Sequence, residues 1–508
     1  MVSSFVGATA TASETETPEI HLDVEEVHLD NGLTLLLVDR PSAPDLAAGW
    51  VVHAGSADDP PGRRGLAHVL EHLLFKGTET IGTRDYQAER AAGEEIAELR
   101  REIERLRSKG KGAGRRAREI ETRLAEVERR RQRLLRPGEL SLRYSEAGAT
   151  GLNGFTFEDF TLYFVRLPAG KLELWFWLES DRLSQPVFRD FTREKEVIRQ
   201  EVGQRIGSTP TGRADQELRR AFWGESSYAW RALGRLDDLP RVEKTDAESF
   251  FDRHYRPENL TAVVVGPIDR DRTVALARGY FGRLPAGEAV DGAPPRRTTP
   301  PSPAKGPLEL RCDCPRQTRA LYPTVAFRHP HSYALQVLAG VLNGRTGRLH
   351  RSLVLDREIA FTASATQLSY RDAGSFVFAA ETKGDAKPEE LLAAWEEEIE
   401  GLRNELVGDT ELRKVKNQLI ASSLRGLRRP SDLARQLLVY AGLGEWRQIE
   451  DRPRRVGEVT AEEVREAARG LKEEDRLVAY YRAADLSGAS GSKGPARPGD
   501  NDGRNPLP

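Results

Sequence analysis

Across residues 88–136 the apolar side chains Ile96, Leu99, Ile103 and Leu106 recur at spacings of 3, 4 and 3, and Ile120, Leu124, Val127 and Leu134 at 4, 3 and 7, in a background of Arg and Glu. This pattern predicts two amphipathic helices. The Gly- and Lys-rich stretch Ser108 to Gly114 interrupts it, so the segment is expected to fold back as an antiparallel helical hairpin. Just upstream, Gly65 to Phe75 is free of proline and carries its apolar residues at helical spacing, which predicts a buried amphipathic helix. Phe191 to Glu201 reads as a charged helix on which Glu194 and Glu201, two turns apart, share a face.

From Leu308 to about Tyr481 the order of the first half recurs: a strand, a helix near Ser332 to Leu342, strands around Ala360 to Ala380, and helices at 387–406 and 410–426. Residues 287–305, dense in Pro, Gly and Thr, read as a linker. A chain of 508 residues exceeds what one core organises, which predicts domains at 19–286 and 306–485. Residues 1–18 and 486–508 have too few apolar side chains to offset the entropy of ordering and are expected to be disordered.

Charge and composition narrow the function. A net charge of −2 gives no electrostatic case for nucleic acid. No run of apolar residues is long enough for a membrane span. Cys312 and Cys314 are the two cysteines. On a strand they would lie on one side, where a disulfide is awkward, so they are expected to be structural thiols.

The candidate chemistry sits in His68-Val69-Leu70-Glu71-His72. On a helix, His68 and His72 stand one turn apart and can reach a single ion, while Glu71 beside them is free to take the proton of an attacking water. Two such histidines can also be ordinary helix residues. A zinc site needs a third ligand, which Glu201 or Glu194 could supply, with the other orienting it.

The H-x-x-E-H pentapeptide and the downstream segment Glu194-Lys195-Glu196-Val197-Ile198-Arg199-Gln200-Glu201 together resemble the pitrilysin family (M16) of zinc metallopeptidases, of the inverzincin type. Gly151 to Thr156, Leu178 to Arg182, and Tyr255 to Asn259 leading into Val263 to Gly266 extend the resemblance over most of residues 25–285. It implies an α+β fold of two homologous domains, each a mostly antiparallel sheet covered by helices, the second metal-free. It also implies zinc held by His68, His72 and Glu201, with Glu71 as base, Glu194 as the supporting acid, and Asn153 on an edge strand holding the substrate backbone. The expected activity is hydrolysis of peptide bonds in extended polypeptides.

Two features depart from the family pattern. Roughly fifty extra residues lie between His72 and Glu201, and the hairpin accounts for them, emerging near the mouth of the site either to dock a partner or restrict entry or as a solvated insertion without effect. Many relatives also supply an arginine and, seven residues later, a tyrosine from the second domain to bind substrate. Alignment puts Val354 and Phe361 there, and neither donates a hydrogen bond. The resemblance therefore implies the zinc-bearing member of a homologous pair, as homodimer or heterodimer, with a non-catalytic scaffold subunit as the alternative. Bacterial relatives are often exported. The N-terminus lacks the basic start and apolar core of a leader, leaving a periplasmic protein with its leader removed or a cytoplasmic one.

Overall fold

The computed structural model describes residues 20–110, 114–286, 296, 301 and 306–483. The expected disordered ends and all of the linker except Arg296 and Pro301 lie outside these residues. In the first half, strands β1 (Glu25–His28), β2 (Thr34–Asp39), β3 (Leu46–Val52), β4 (Thr150–Thr156), β5 (Thr161–Leu167) and β6 (Leu260–Gly266) form a sheet in the order β1-β2-β6-β3-β5-β4. Helices α1 (Leu66–Leu74), α2 (Tyr86–Ser108), α3 (Arg115–Leu134) and α4 (Glu139–Glu146) lie between β3 and β4. Then α5 (Leu172–Ser184), α6 (Phe191–Gly207), α7 (Gly212–Trp223) and α8 (Lys244–His254) precede β6, and α9 (Arg270–Tyr280) follows it.

The second half repeats the plan. Strands β7 (Leu308–Cys312), β8 (Gln317–Thr324), β9 (Ala360–Ser369), β10 (Gly374–Thr382) and β11 (Leu477–Ala483) pair in the order β7-β11-β8-β10-β9. Helix α10 (His331–Leu342) lies between β8 and β9, and α11 (Pro388–Asn404), α12 (Asp409–Arg425), α13 (Pro430–Leu443), α14 (Gln448–Glu458) and α15 (Ala461–Gly470) lie between β10 and β11. Leaving β1 aside, both sheets run first, last, second, fourth and third strand, with one parallel pair followed by three antiparallel ones. The duplication expected from the order of elements is thus present strand by strand. The helix α1, which carries His68 and His72, occupies the place that α10 takes in the second half.

Central strands buried on both faces read as unbroken apolar runs, and β3 and β6 do so. Alternate residues serve two cores. Leu35, Leu37, Trp50, Val52 and Val264 face α1 and its neighbours, while Leu36, Val38, Val51, Val263 and Val265 pack on Leu433, Leu437 and Leu438 of α13, a helix of the second half. The exchange is reciprocal: Ala214, Leu218 and Phe222 of α7 cover Leu310, Leu321, Ala479 and Tyr481 of the second sheet. Close approach demands glycine at two points. A Cβ on Gly49 would lie 2.8 Å from Leu438 Cδ1, and one on Gly442 would lie 2.5 Å from the Phe160 ring.

Helices α2 and α3 form the expected antiparallel hairpin. Glu89 pairs with Arg131 near its base and Glu102 with Arg116 further out, around the apolar seam of Ala92, Ile96 and Val127. Few of its residues are buried, because two charged helices alone cannot enclose a core.

The thiol expectation is corrected. Cys312 and Cys314 are joined by a disulfide, with Cα atoms 5.2 Å apart. Strand β7 ends at Cys312 and the chain bends through Cys314, so the two are not a same-face pair on an extended strand, where their separation would be about 6.8 Å.

Candidate metal centre and active site

Both ends of α1 are held by buried charge. At its start Asp59, 4 % exposed, accepts from the amides of Gly65 (2.6 Å) and Ala67 (2.8 Å), which places an anion at the positive end of the helix. Burial still drives this carboxyl up, to about 7, against those amides. At the other end the Arg182 guanidinium donates to Leu74 O at 3.1 Å. Arg182 is neutralised by Glu179, which also accepts from Trp50 Nε1 at 2.7 Å and from the Tyr144 hydroxyl. The motif residues Leu178 to Arg182 therefore serve as a clamp on α1.

Between these clamps, α1 presents its histidines to α6. His68 Nε2 lies 3.8 Å from Glu201 Oε2, and His72 Nε2 lies 3.4 Å from the same oxygen. Three ligand atoms about 2.0–2.1 Å from a tetrahedral zinc would stand roughly 3.4 Å from one another. These separations fit zinc with little movement. On its far side His72 Nδ1 lies 3.5 Å from Glu194 Oε2, and Glu194 Oε1 lies 2.8 Å from Lys76 Nζ. The carboxylate behind one ligating imidazole is a usual feature of zinc sites. His68 has no such prop: its Nδ1 is buried without a hydrogen-bond partner among the described residues.

Glu71 also approaches the histidines, with ligand atoms of all three within 4.8 Å of one another. Chemistry separates the two carboxylates that compete for the third place. Hydrogen bonding to His72 leads the forces that hold Glu201 down, to about 2, so it stays an anion. Burial raises Glu71, against a hydrogen bond of 2.6 Å from Thr156 Oγ1 to Oε2. A carboxylate raised toward working pH suits a proton acceptor. Burial holds His68 down, to about 4, with the charge of His72 adding to the effect. Burial also opposes charge on His72, but its bonds to Glu194 and Glu201 prevail and push it up to about 9. Without a metal, a proton on His72 balances these carboxylates.

Strand β4 is the sheet edge beside the site. Gly154 and Thr156 face α1, and a Cβ on Gly154 would stand 3.2 Å from Glu71 Oε1. Asn153 is exposed on the alternate face, its Oδ1 accepting from Gly154 N at 2.9 Å. Thr156, Lys76 and Arg205, which pairs with Glu201 Oε1 at 2.8 Å, are site residues that sequence reasoning missed. Thr156 closes the β4 stretch quoted for the resemblance, where a role was given to Asn153 alone, and its period-2 relation to Gly154 is a further mark. Two clefts flank the centre. One of about 440 Å³ runs from His72, Lys76 and Glu194 to Leu135 and Pro137 at the return of the hairpin. The other, about 360 Å³, runs from Thr156 and Arg205 to Trp230 and Leu233.

Val354 lies partly buried against the second core, and Phe361 projects from β9 with 67 % exposure. The nearby Arg348 is spent on Glu411, through bonds of 3.2 and 2.9 Å.

Two duplicated α+β halves, one bearing an H-x-x-E-H helix, define a two-domain M16-like peptidase fold. Residues 34–94 match the Insulinase (Peptidase family M16) profile and residues 241–419 that of the Peptidase M16 inactive domain, so each half carries a match to a domain of this peptidase family. It is 26 % identical over 458 residues to an uncharacterized zinc protease of Mycobacterium leprae, covering 87 % of this chain and 88 % of that one. It is 22 % identical to the zinc protease PqqE of Helicobacter pylori, covering 81 % of each. In fold it is similar to the crystal structure of a protease from Helicobacter pylori, with a TM-score of 0.73 at 20 % identity, covering 90 % of this chain and 99 % of that one. No helix among the described residues is long and apolar enough to cross a membrane.

Proposed function

We propose that the chain is a zinc-dependent endopeptidase acting on extended or unfolded polypeptides, as the metal-bearing subunit of a homodimer or a heterodimer with a homologous chain. The reading rests on one observation: two imidazole nitrogens converge on a single oxygen of Glu201 while Glu71, beside them, is hydrogen-bonded among the described residues by Thr156. His68, His72 and Glu201 would hold one zinc per chain. When bound, zinc supplies Lewis acidity that polarises the scissile carbonyl and acidifies a water.

The protein's own groups do the remainder. Thr156 occupies Glu71 Oε2, which leaves Oε1, lying against β4, to take the water's proton and return it to the leaving amine. Glu194 holds His72 in the orientation that keeps Nε2 toward Glu201. The substrate pairs with β4 as an added strand, so recognition is chiefly of main chain, with Asn153 in a supporting place.

A second reading, a non-catalytic scaffold, draws on Val354 and Phe361, which leave the second half without the expected donors. Metal analysis with cleavage of a quenched fluorescent peptide separates the two. About one zinc per chain and chelator-sensitive cleavage, retained zinc but no cleavage in Glu71→Gln, and loss of zinc in Glu201→Ala are expected. Cleavage only after a homologous chain is added would identify the subunit of a pair. A chain that binds no zinc would be the scaffold.

A further inference from the structure

Lys76 follows the end of α1 by two residues, in a loop that is fixed in every direction. Arg189, 4 % exposed, donates to Lys76 O (3.2 Å), Ile81 O (3.1 Å) and Thr78 O (2.7 Å), so one guanidinium gathers three carbonyls of the loop. The remaining donors of Arg189 go to Glu89 at the base of α2, which is held in turn by Arg131 of α3. The loop turns through Gly77 at φ +96°, where a Cβ would come within 2.3 Å of Ile81 O, so only glycine allows the turn. The backbone of Lys76 is therefore preorganised, and the base of the hairpin is part of what preorganises it.

From this backbone the Lys76 ammonium reaches Glu194 Oε1 at 2.8 Å, and Glu194 Oε2 faces His72 Nδ1 at 3.5 Å. The Glu194 side chain is 6 % exposed. A buried carboxylate with a cation on one oxygen is fixed in rotamer, and without that cation it would be free to turn. His68 Nδ1 has no comparable support. Orientation of the ligand pair thus depends on the His72 side, and that side depends on Lys76.

Building on the zinc site proposed above, we infer that Lys76 is a positioning residue for the metal, acting through Glu194 on His72. It touches neither ligand atoms nor reacting atoms. The test is zinc affinity of the full chain, measured by competition with a chromophoric chelator, together with thermal unfolding of the metal-free protein. Groups that support metal ligands from outside typically change affinity about 10–100-fold when removed. K76M is expected to bind zinc about tenfold more weakly, with K76R restoring most of the loss and metal-free stability little changed. In an E194Q background, K76M should add little, since the route runs through Glu194. If K76M does not fold, K76Q keeps a polar side chain without the charge and is read in the same way. K76M affinity within twofold of the wild type, or a full tenfold loss added on top of E194Q, would overturn the inference alone. A wild-type chain that binds no zinc would remove the proposed function and this role with it.

Discussion

Thr156 on the edge strand β4 donates its hydroxyl to Glu71 on the H-x-x-E-H helix across 2.6 Å. The bond joins the strand proposed to hold substrate to the group proposed to take the proton. It favours the ionised carboxylate, while burial works the other way and raises Glu71 overall. Thr156→Val removes the stabilising side and should raise Glu71 further. Activity requires the carboxylate, so it is lost as pH falls through the Glu71 pKa. In the variant this loss should begin at higher pH, with activity recovered in alkali. A pH profile of kcat/KM tests this, and an acid limb left in place would separate Glu71 from the role of base.

At the zinc site proposed above, metal and a proton would compete for His72. Its carboxylate partners push it up to about 9 in the metal-free protein, so at neutral pH it carries a proton on each nitrogen. Ligation needs Nε2 bare, while Nδ1 keeps its hydrogen for Glu194. Uptake of zinc at pH 7.5 should therefore release about one proton, and apparent affinity should rise about tenfold per pH unit until the pH approaches the His72 value. Calorimetry in buffers of different ionisation enthalpy counts the proton. The folding linkage comes from the same proton but runs the opposite way with pH: the raised pKa of His72 stabilises metal-free protein below its unfolded value of about 6.5, and that contribution is lost as pH rises from there toward 9. Zinc uptake without proton release would place the ligand elsewhere.

Arg296 fastens both halves. It grips Asp58 through two bonds of 2.7 Å, reaches Asp159 at 2.6 Å, and meets Asp372 of the second half at 3.4 Å. Asp159 is 1 % exposed and also accepts from the Tyr228 hydroxyl and the Arg371 amide, each at 2.8 Å. Removing one partner of such a cluster leaves buried charge uncompensated, at a cost of about 3–5 kcal/mol. Arg296→Met should destabilise by about 3 kcal/mol in urea unfolding, and Arg296→Lys should recover only part, since an ammonium cannot grip Asp58 with two parallel bonds. A change under about 0.5 kcal/mol would reduce Arg296 to a surface contact.

What the sequence discloses follows the range of the interactions. His68, Glu71 and His72 sit within one helical turn, so a local pattern reveals them, and the two-turn spacing of Glu194 and Glu201 works in the same way. Ile96, Leu99, Leu124 and Val127 of the hairpin seam were legible for that reason too. Thr156, Lys76 and Arg296 act on partners 85, 118 and at least 76 residues away, and no local spacing reveals those partners. Nor does periodicity say which sheet a helix covers. The apolar stripe of α13 fits either half, and its packing on β3 rather than on its own sheet depends on the room left by Gly49 and Gly442. The cysteines were misread because one residue of assumed strand beyond Cys312 reverses the geometric argument.

His53 makes acid sensitivity a property of the junction between halves. It follows β3 directly, shares a hydrogen bond with Thr261 Oγ1 at 3.1 Å, and is packed against Arg371 and the main chain of Gly442 from the second half. Burial, with the charge of Arg371 adding to it, holds His53 down to about 4. The lowered value means that the unfolded chain takes up the proton first. The folded state keeps its full advantage above about 6.5 and loses it as pH falls toward 4, by about 3 kcal/mol at most. His53→Gln retains a polar side chain at the site without a proton to gain. Its stability should therefore fall less steeply than that of the wild type between pH 6.5 and 4, whatever its value at pH 7.5. Urea unfolding across that range tests this, and parallel slopes for the two proteins would assign the acid sensitivity to other groups.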